Sequence, residues 1–271
     1  MTLKRLLKTP SLLAGTVMLL LLVCAAFLAP YISPYDYTRQ DLFAVLQPPS
    51  AVHLMGTDQL GRDVCTRLLY AARTDLKVMV LAEIVPFCTG IFLGMLAGYY
   101  GKWVDTVITF FTDIFIAFPF YLTVIIIAFV TGSGEHGIYI TFMLVGWIVF
   151  AKVVKGLSSA LCSEEWIAAC KTIGLPGYRI IWGHLFVNVL PQAVIVLMTD
   201  MVSLLVTVVT LGFLGIGIAP PVPDWGTMIS DGKTFIATSW WLSVMPGCAV
   251  VYTGIALSLI GDGLADIWRG K

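Results

Sequence analysis

The chain has 271 residues, 59% of them hydrophobic and only 12% charged, with a formal net charge of zero and a mean hydropathy of +0.93. Ordinary globular chains carry ~25% charged residues. A soluble fold could not hide this much apolar surface, and a chain without excess positive charge is not expected to bind nucleic acid.

A bilayer-spanning helix needs ~20 mostly apolar residues, because nothing in the hydrocarbon can satisfy a backbone group left outside a helix. Apolar runs near 11–30, 78–100, 106–131, 137–154, 188–217 and 241–263 predict six spans in an all-α, polytopic membrane protein. Pro119 interrupts the third run and Asp200 sits inside the fifth. The first run follows Lys4, Arg5 and Lys8, as in a signal peptide. It is long for a signal, and no small-x-small cleavage site precedes Pro30, so an uncleaved span is expected.

An even number of spans puts both termini on one side. With the termini inside, Lys4, Arg5, Lys8, Lys102, Lys152, Lys155, Lys171, Arg179, Arg269 and Lys271 face the cytoplasm. Arg39, Arg62, Arg67, Arg73, Lys77 and Lys233 then face out, so the positive-inside rule favours cytoplasmic termini. Residues 1–75 would form an N-terminal tail, the first span and an external loop. Residues 76–271 would form a five-span domain with an inner loop at about 156–187.

Function is expected in the long connections, 31–77 outside, 152–187 inside and 218–240 before the last span, since such loops are seldom idle. In the inner one, Ser163 can cap a short helix, Glu164 and Glu165 suit its positive end, and Lys171 suits the other. Gly174 and Pro176 should stop it. Trp166, Ile167, Cys170 and Ile173 then share one face, an apolar stripe that packs on the chain's own spans or enters a partner's groove.

Gly90, Gly94 and Gly98 form a ladder of small residues suited to close helix contact, within the chain or between subunits. Glu83, Asp113 and Asp200 are ionisable residues in or near apolar runs, hence candidates for a transport pathway or for polar contacts between helices. His53, His136 and His184 fall in three separate connections, and the six cysteines show no metal-ligand spacing. The phosphate-loop motif is missing, as are HExxH and GxSxG, so neither ATP binding nor hydrolytic catalysis is expected on this chain.

Four stretches resemble the inner-membrane permeases of the dipeptide, oligopeptide and nickel ABC importers, specifically the second, C-type permease of each pair. The first, Gly56-Thr57-Asp58-Gln59-Leu60-Gly61-Arg62-Asp63, is similar to the family's GTDxxGRD signature. The second runs from Trp103-Val104-Asp105 through Asp113 to Phe118-Pro119, where the proline should bend the helix. In the third, Ala169 and Gly174 match the second residue and the glycine of the EAAxxxG loop, while Ala168 and Cys170 replace its other residues. Arg179, His184 and Leu190-Pro191 continue that pattern. The fourth comprises Leu211-Gly212-Phe213-Leu214-Gly215-Ile216-Gly217, Pro220-Pro221, Asp224-Trp225-Gly226 and the ending Gly261-Asp262-Gly263-Leu264-Ala265-Asp266.

The resemblance implies a type I ABC importer permease fold with a coupling loop that contains Glu165, Ala168, Ala169, Cys170, Gly174, Arg179, His184 and Pro191. It implies an external signature loop of Gly56, Thr57, Asp58, Gly61, Arg62 and Asp63, and pathway or gate candidates Asp113, Pro119, Asp200, Gly215, Gly217 and Trp225. It further implies a paired permease, two ATPase subunits that carry the ATP and magnesium, and an extracytoplasmic solute-binding protein. No cofactor is expected on this chain. Peptide import is the function implied, with nickel or a metal chelate as the alternative solute. An ion-coupled secondary transporter is the reading from another class.

Overall fold

The computed structural model describes residues 9–269, all in helices and their connections apart from one isolated bridge between Thr57 and Asp63. Lys4, Arg5, Lys8 and Lys271 lie outside the described residues. Helix α1 covers Pro10–Ile32 and α2 covers Val64–Tyr100. Then come α3 (Lys102–Ile116), α4 (Phe120–Thr131), α5 (Glu135–Val145) and α6 (Trp147–Cys162). The short α7 (Glu165–Thr172) and α8 (Gly177–Ile180) lead through a π turn, Ile181–Leu185, into α9 (Phe186–Phe213). Helices α10 (Trp225–Gly232) and α11 (Trp241–Trp268) close the chain.

Five helical stretches are long and apolar enough to cross a bilayer, and the α3–α4 pair makes a sixth if it counts as one broken span. Three expectations need correction. The second span begins at Val64, fourteen residues before the apolar run, because the Asp63 carboxylate accepts the Thr66 N–H at 2.7 Å and starts the helix there. Residues 75 and 76 therefore lie on one continuous helix. The third span does not merely bend: the chain turns by 87° between α3 and α4. Pro119 has no N–H to give and crowds the residue before it out of helical geometry, so the helix stops and a new one begins at Phe120. Finally, Ser163 caps nothing at the start of α7. Its hydroxyl donates back to the Ser159 carbonyl at 3.3 Å, and it ends α6.

The glycine ladder of α2 packs against α6 of the same chain. A Cβ on Gly90 would lie 2.5 Å from the Trp147 carbonyl, on Gly94 2.7 Å from that of Ala151, and on Gly98 2.5 Å from Ser158 Cβ. Hence the two backbones touch, as such ladders permit in lipid. At the other side of the bundle α1 and α11 run antiparallel, with Gly15 against Ala256 and Ile260, and Gly263 against Leu12. Both described ends of the chain therefore meet at one end of the bundle. The same end carries α7, since the Lys171 ammonium sits 5.3 Å over the Tyr99 ring at the close of α2.

Two buried cores follow. The larger joins α2, α5, α9, α10 and α11 around Trp225 and Trp241. The smaller gathers Ile91 and Met95 of α2, Val154 of α6, Ile167 of α7 and Ile180, Ile181, Leu185 and Val189 beneath the short helices.

Candidate functional site

The α7 turn is a helix with a built stop. Gly174 has φ +82°, its N–H donates to Lys171 and the Leu175 N–H donates to Cys170, the paired bonds of a Schellman ending. The expected apolar stripe is divided. Ile167 is wholly buried in the smaller core, whereas Ile173 is 75% exposed and Trp166 also faces outward. Cys170 lies between, its sulfur 3.9 Å from His184 Nε2, and the Trp166 ring stands 5.9 Å from the same imidazole. Ile167 thus packs on the chain's own helices, as one reading of the sequence expected, and Ile173 is left bare. Ile167 anchors the helix, and Ala168, Ala169, Thr172 and Ile173 form a bare face. Glu165, Gly174 and Arg179 are exposed around it, while Pro191 lies further along, inside α9.

At the opposite end of the bundle the signature loop closes on Asp58. Its carboxylate accepts the N–H groups of Leu60 and Arg62, both at 2.9 Å, and the Arg62 Nε at 2.6 Å. Arg67 of α2 approaches the same oxygen at 3.6 Å, and Arg62 reaches Asp231 of α10 at 3.6 Å. Asp58, Arg62 and Arg67 are buried while Asp231 is exposed, and each buried charge finds an opposite partner, as buried charges require. Gly61 has φ +70°, and a Cβ there would lie 1.8 Å from the Asp41 carbonyl, so only glycine fits. Thr57 accepts the Gln47 N–H through its hydroxyl and the Trp241 indole N–H through its carbonyl. His53 pairs with Asp63 at 3.0 Å, so it serves the loop.

Trp225, taken from the sequence as a gate candidate, is fully buried. Its backbone N–H donates to Asp75 Oδ2 at 2.9 Å and its indole to the Leu68 carbonyl at 3.4 Å. It pins the loop after α9 to α2. Asp224 caps α10 by accepting the Thr227 N–H at 3.0 Å, and burial pushes its carboxyl above the usual carboxylate range against the pull of the Thr227 bonds. Gly217 folds back so that a Cβ would lie 2.5 Å from Gly212 Cα, and Gly215 turns with φ +78°. A cavity of about 350 Å³ opens there between Arg62, Arg67, Gly215, Gly217, Thr227 and Ser230.

Of the three intramembrane acids, Glu83 of α2 is buried with neither side-chain oxygen hydrogen-bonded, and Asp200 lies half-buried midway along α9. Asp113 is exposed on α3 ahead of the exposed Pro119. Sequence reasoning missed Asp75, Asp231 and Trp241. Asp75 carried a usable signal, an acid three residues before an apolar run with nothing to mark a helix start between them.

The same chain segments carry likenesses to known proteins. Residues 90–269 match the family described as binding-protein-dependent transport system inner membrane component. Residues 1–49 match the N-terminal transmembrane domain of oligopeptide transport permease C. A dipeptide transport system permease protein of Bacillus subtilis is 36% identical over 265 residues, covering 97% of this chain and 82% of that protein. One from Alkalihalophilus pseudofirmus is 34% identical over 263 residues, with 97% and 86% covered. A glutathione transport system permease protein of Pectobacterium atrosepticum is 30% identical, with 97% and 88% covered. With the family profile running from the glycine ladder to the end of α11, and relatives aligned along almost the whole chain, this multi-pass membrane protein belongs to the inner-membrane components of binding-protein-dependent transport systems, as a C-type permease of the dipeptide and oligopeptide group.

Proposed function

We propose that this chain is the permease subunit of an ATP-driven importer of di- and oligopeptides. It would pair with a second permease, receive solute from an extracytoplasmic binding protein, and couple to two ATPase subunits that bind ATP and magnesium. No catalytic residue is assigned to it. The observation that carries the reading is the bare face of α7, Ala168, Ala169, Thr172 and Ile173, on a helix anchored by Ile167 in a core shared with α2 and α9. Small and apolar side chains there suit insertion into a groove of another protein.

Because Ile167 packs with Ile91 and Met95 of α2 and with Val189 of α9, a push on α7 would reach both long helices together. ATPase closure and reopening would then rock the bundle between outward-open and inward-open forms. Peptide as the solute draws support from relatives named for dipeptide, di/tripeptide and oligopeptide transport. None of those names supports the nickel alternative, and family membership argues against an ion-gradient transporter.

The α7 end would face the cytoplasm. Among the described residues Lys102, Lys152, Lys155, Lys171, Arg179 and Arg269 belong to that end, matched in number by Arg39, Arg62, Arg67, Arg73, Lys77 and Lys233 at the other. Lys4, Arg5, Lys8 and Lys271 tip the count.

The test is co-purification in detergent of the tagged wild type and of an Ala169→Asp, Gly174→Asp double variant, with ATPase activity assayed on each. The wild type should bring down an ATPase and the variant should lose it while remaining folded. A folded wild type that never retains an ATPase would overturn the assignment.

A further inference from the structure

Between α1 and α2, in the half of the bundle away from α7, lies a groove of about 500 Å³. Its walls are apolar, with Phe27 on the α1 side and Leu76, Val80 and Leu81 on the α2 side. Phe27, Val80 and Leu81 are all exposed. Arg73 and Lys77, one turn apart on α2, line the same groove and are exposed too. Because α2 runs from the signature loop towards α7, the two cations sit at the rim nearest the signature loop, and the aliphatic wall follows beneath them.

That rim lies at the membrane boundary. The apolar run of α2 begins at Val78, so Arg73 and Lys77 stand at the edge of the hydrocarbon, where lipid phosphates lie. Aromatic rings mark the same level, as they do at membrane–water interfaces. Tyr70, one turn before Arg73, packs on Tyr37 with ring centroids 4.6 Å apart, and Tyr31 at the end of α1 is 85% exposed.

The charges at the rim do not balance. The Lys77 ammonium meets the Glu135 carboxylate of α5 at 2.7 Å. Asp75, between the two cations in sequence, is buried and accepts the Trp225 N–H. Among the described residues no acid pairs with Arg73, and no acceptor takes a hydrogen bond from it. Long basic side chains reach for the interface unaided, which accounts for the height of Arg73 but not for the apolar hollow below it.

We propose that this groove is a binding site for one anionic phospholipid, with its phosphate on the Arg73 guanidinium beside Lys77 and its acyl chains against Phe27, Leu76, Val80 and Leu81. A guanidinium presents a planar pair of N–H donors that matches two phosphate oxygens. One unpaired positive charge calls for one net negative charge, which phosphatidylglycerol carries and phosphatidylethanolamine does not. From Arg73 to Leu81 the α2 wall measures ~12 Å, enough for the chain segments nearest the headgroup. A lipid seated there would brace α1 against α2 whatever solute is carried.

The test is native mass spectrometry of the complete importer, purified in detergent and titrated with phosphatidylglycerol or phosphatidylethanolamine. The wild type should hold a phosphatidylglycerol that Arg73→Gln binds about tenfold more weakly, and should favour it over phosphatidylethanolamine by a similar factor. Arg73→Lys should keep part of the affinity, because it keeps the charge without the planar fork. Val80→Trp, which fills the groove and leaves both cations in place, should lose the same lipid. The other subunits are unchanged throughout, so these differences belong to this groove. Arg73 is exposed and unpaired, so the glutamine variant should assemble, and Val80→Trp gives an independent reading should it not. Equal phosphatidylglycerol binding by the wild type and either Arg73→Gln or Val80→Trp, or a wild type indifferent to the headgroup, overturns the site.

Discussion

Asp58 takes two backbone N–H bonds and two arginines, and few single side chains in the molecule hold so much. Asp58→Ala would leave Arg62 with only the distant Asp231 and Arg67 with no anion, at a cost of about 3–5 kcal/mol for a broken buried pair. The midpoint of thermal unfolding in detergent should fall by several degrees, and a variant that melts like the wild type would show the loop to be held by other means. The string Gly56–Asp63 already marked an external signature loop by its resemblance to the family. What it could not disclose was that Trp241, 184 positions away, would bond to Thr57, or that Asp75 would hold Trp225 across 150. Contacts of that separation depend on how helices stack, and no local pattern of residue types encodes them.

Helix against helix, the α2–α6 seam brings two backbones into direct contact. Gly94→Leu would drive a side chain into the Ala151 carbonyl and Val154 Cβ, 2.7 and 2.8 Å from where its first carbon must sit. Overpacking of this kind costs about 1–3 kcal/mol or more, so the yield of monodisperse protein in detergent should drop sharply. Gly156 on α6 meets nothing within 4 Å, so Gly156→Ala should be tolerated or slightly stabilising in the same assay. The spacing of the three glycines announced this seam, although not which helix lay opposite. Span number and helical class were legible for the same reason, since the bilayer demands long apolar runs. Helix ends were not. Val64 starts α2 inside a polar stretch because a capping carboxylate, not hydropathy, decides the start. The division of the α7 stripe was equally hidden, because helical spacing says which residues share a face and not which of them the neighbouring core will swallow.

Taken as one body, the molecule has two unlike ends, one bearing α7 with both described chain ends, the other the signature loop and α10. Membrane-impermeant maleimide offers a check on orientation in a cysteine-free background. A cysteine at Arg269, at the α7 end but off its bare face, should react only in inside-out vesicles and one at Ala51 only in intact spheroplasts, both positions being exposed. Labelling with the two patterns exchanged would invert the proposed topology.

Joining these ends is α2, 37 residues in a single helix and so ~55 Å long at 1.5 Å per residue. Its lower tip rests on the platform under α7, and its upper tip is tied to Asp58 and Trp225. Along its lower half α6 braces it through the glycine seam, and Gly146 closes on Pro86 where the proline would otherwise weaken it. A stiff beam pivoted near its middle behaves as a see-saw. A tilt of about ten degrees would carry each tip ~5 Å in opposite directions, by the same helix rise. Moving one tip inward therefore obliges the other to swing away, with no separate messenger needed between the two sides.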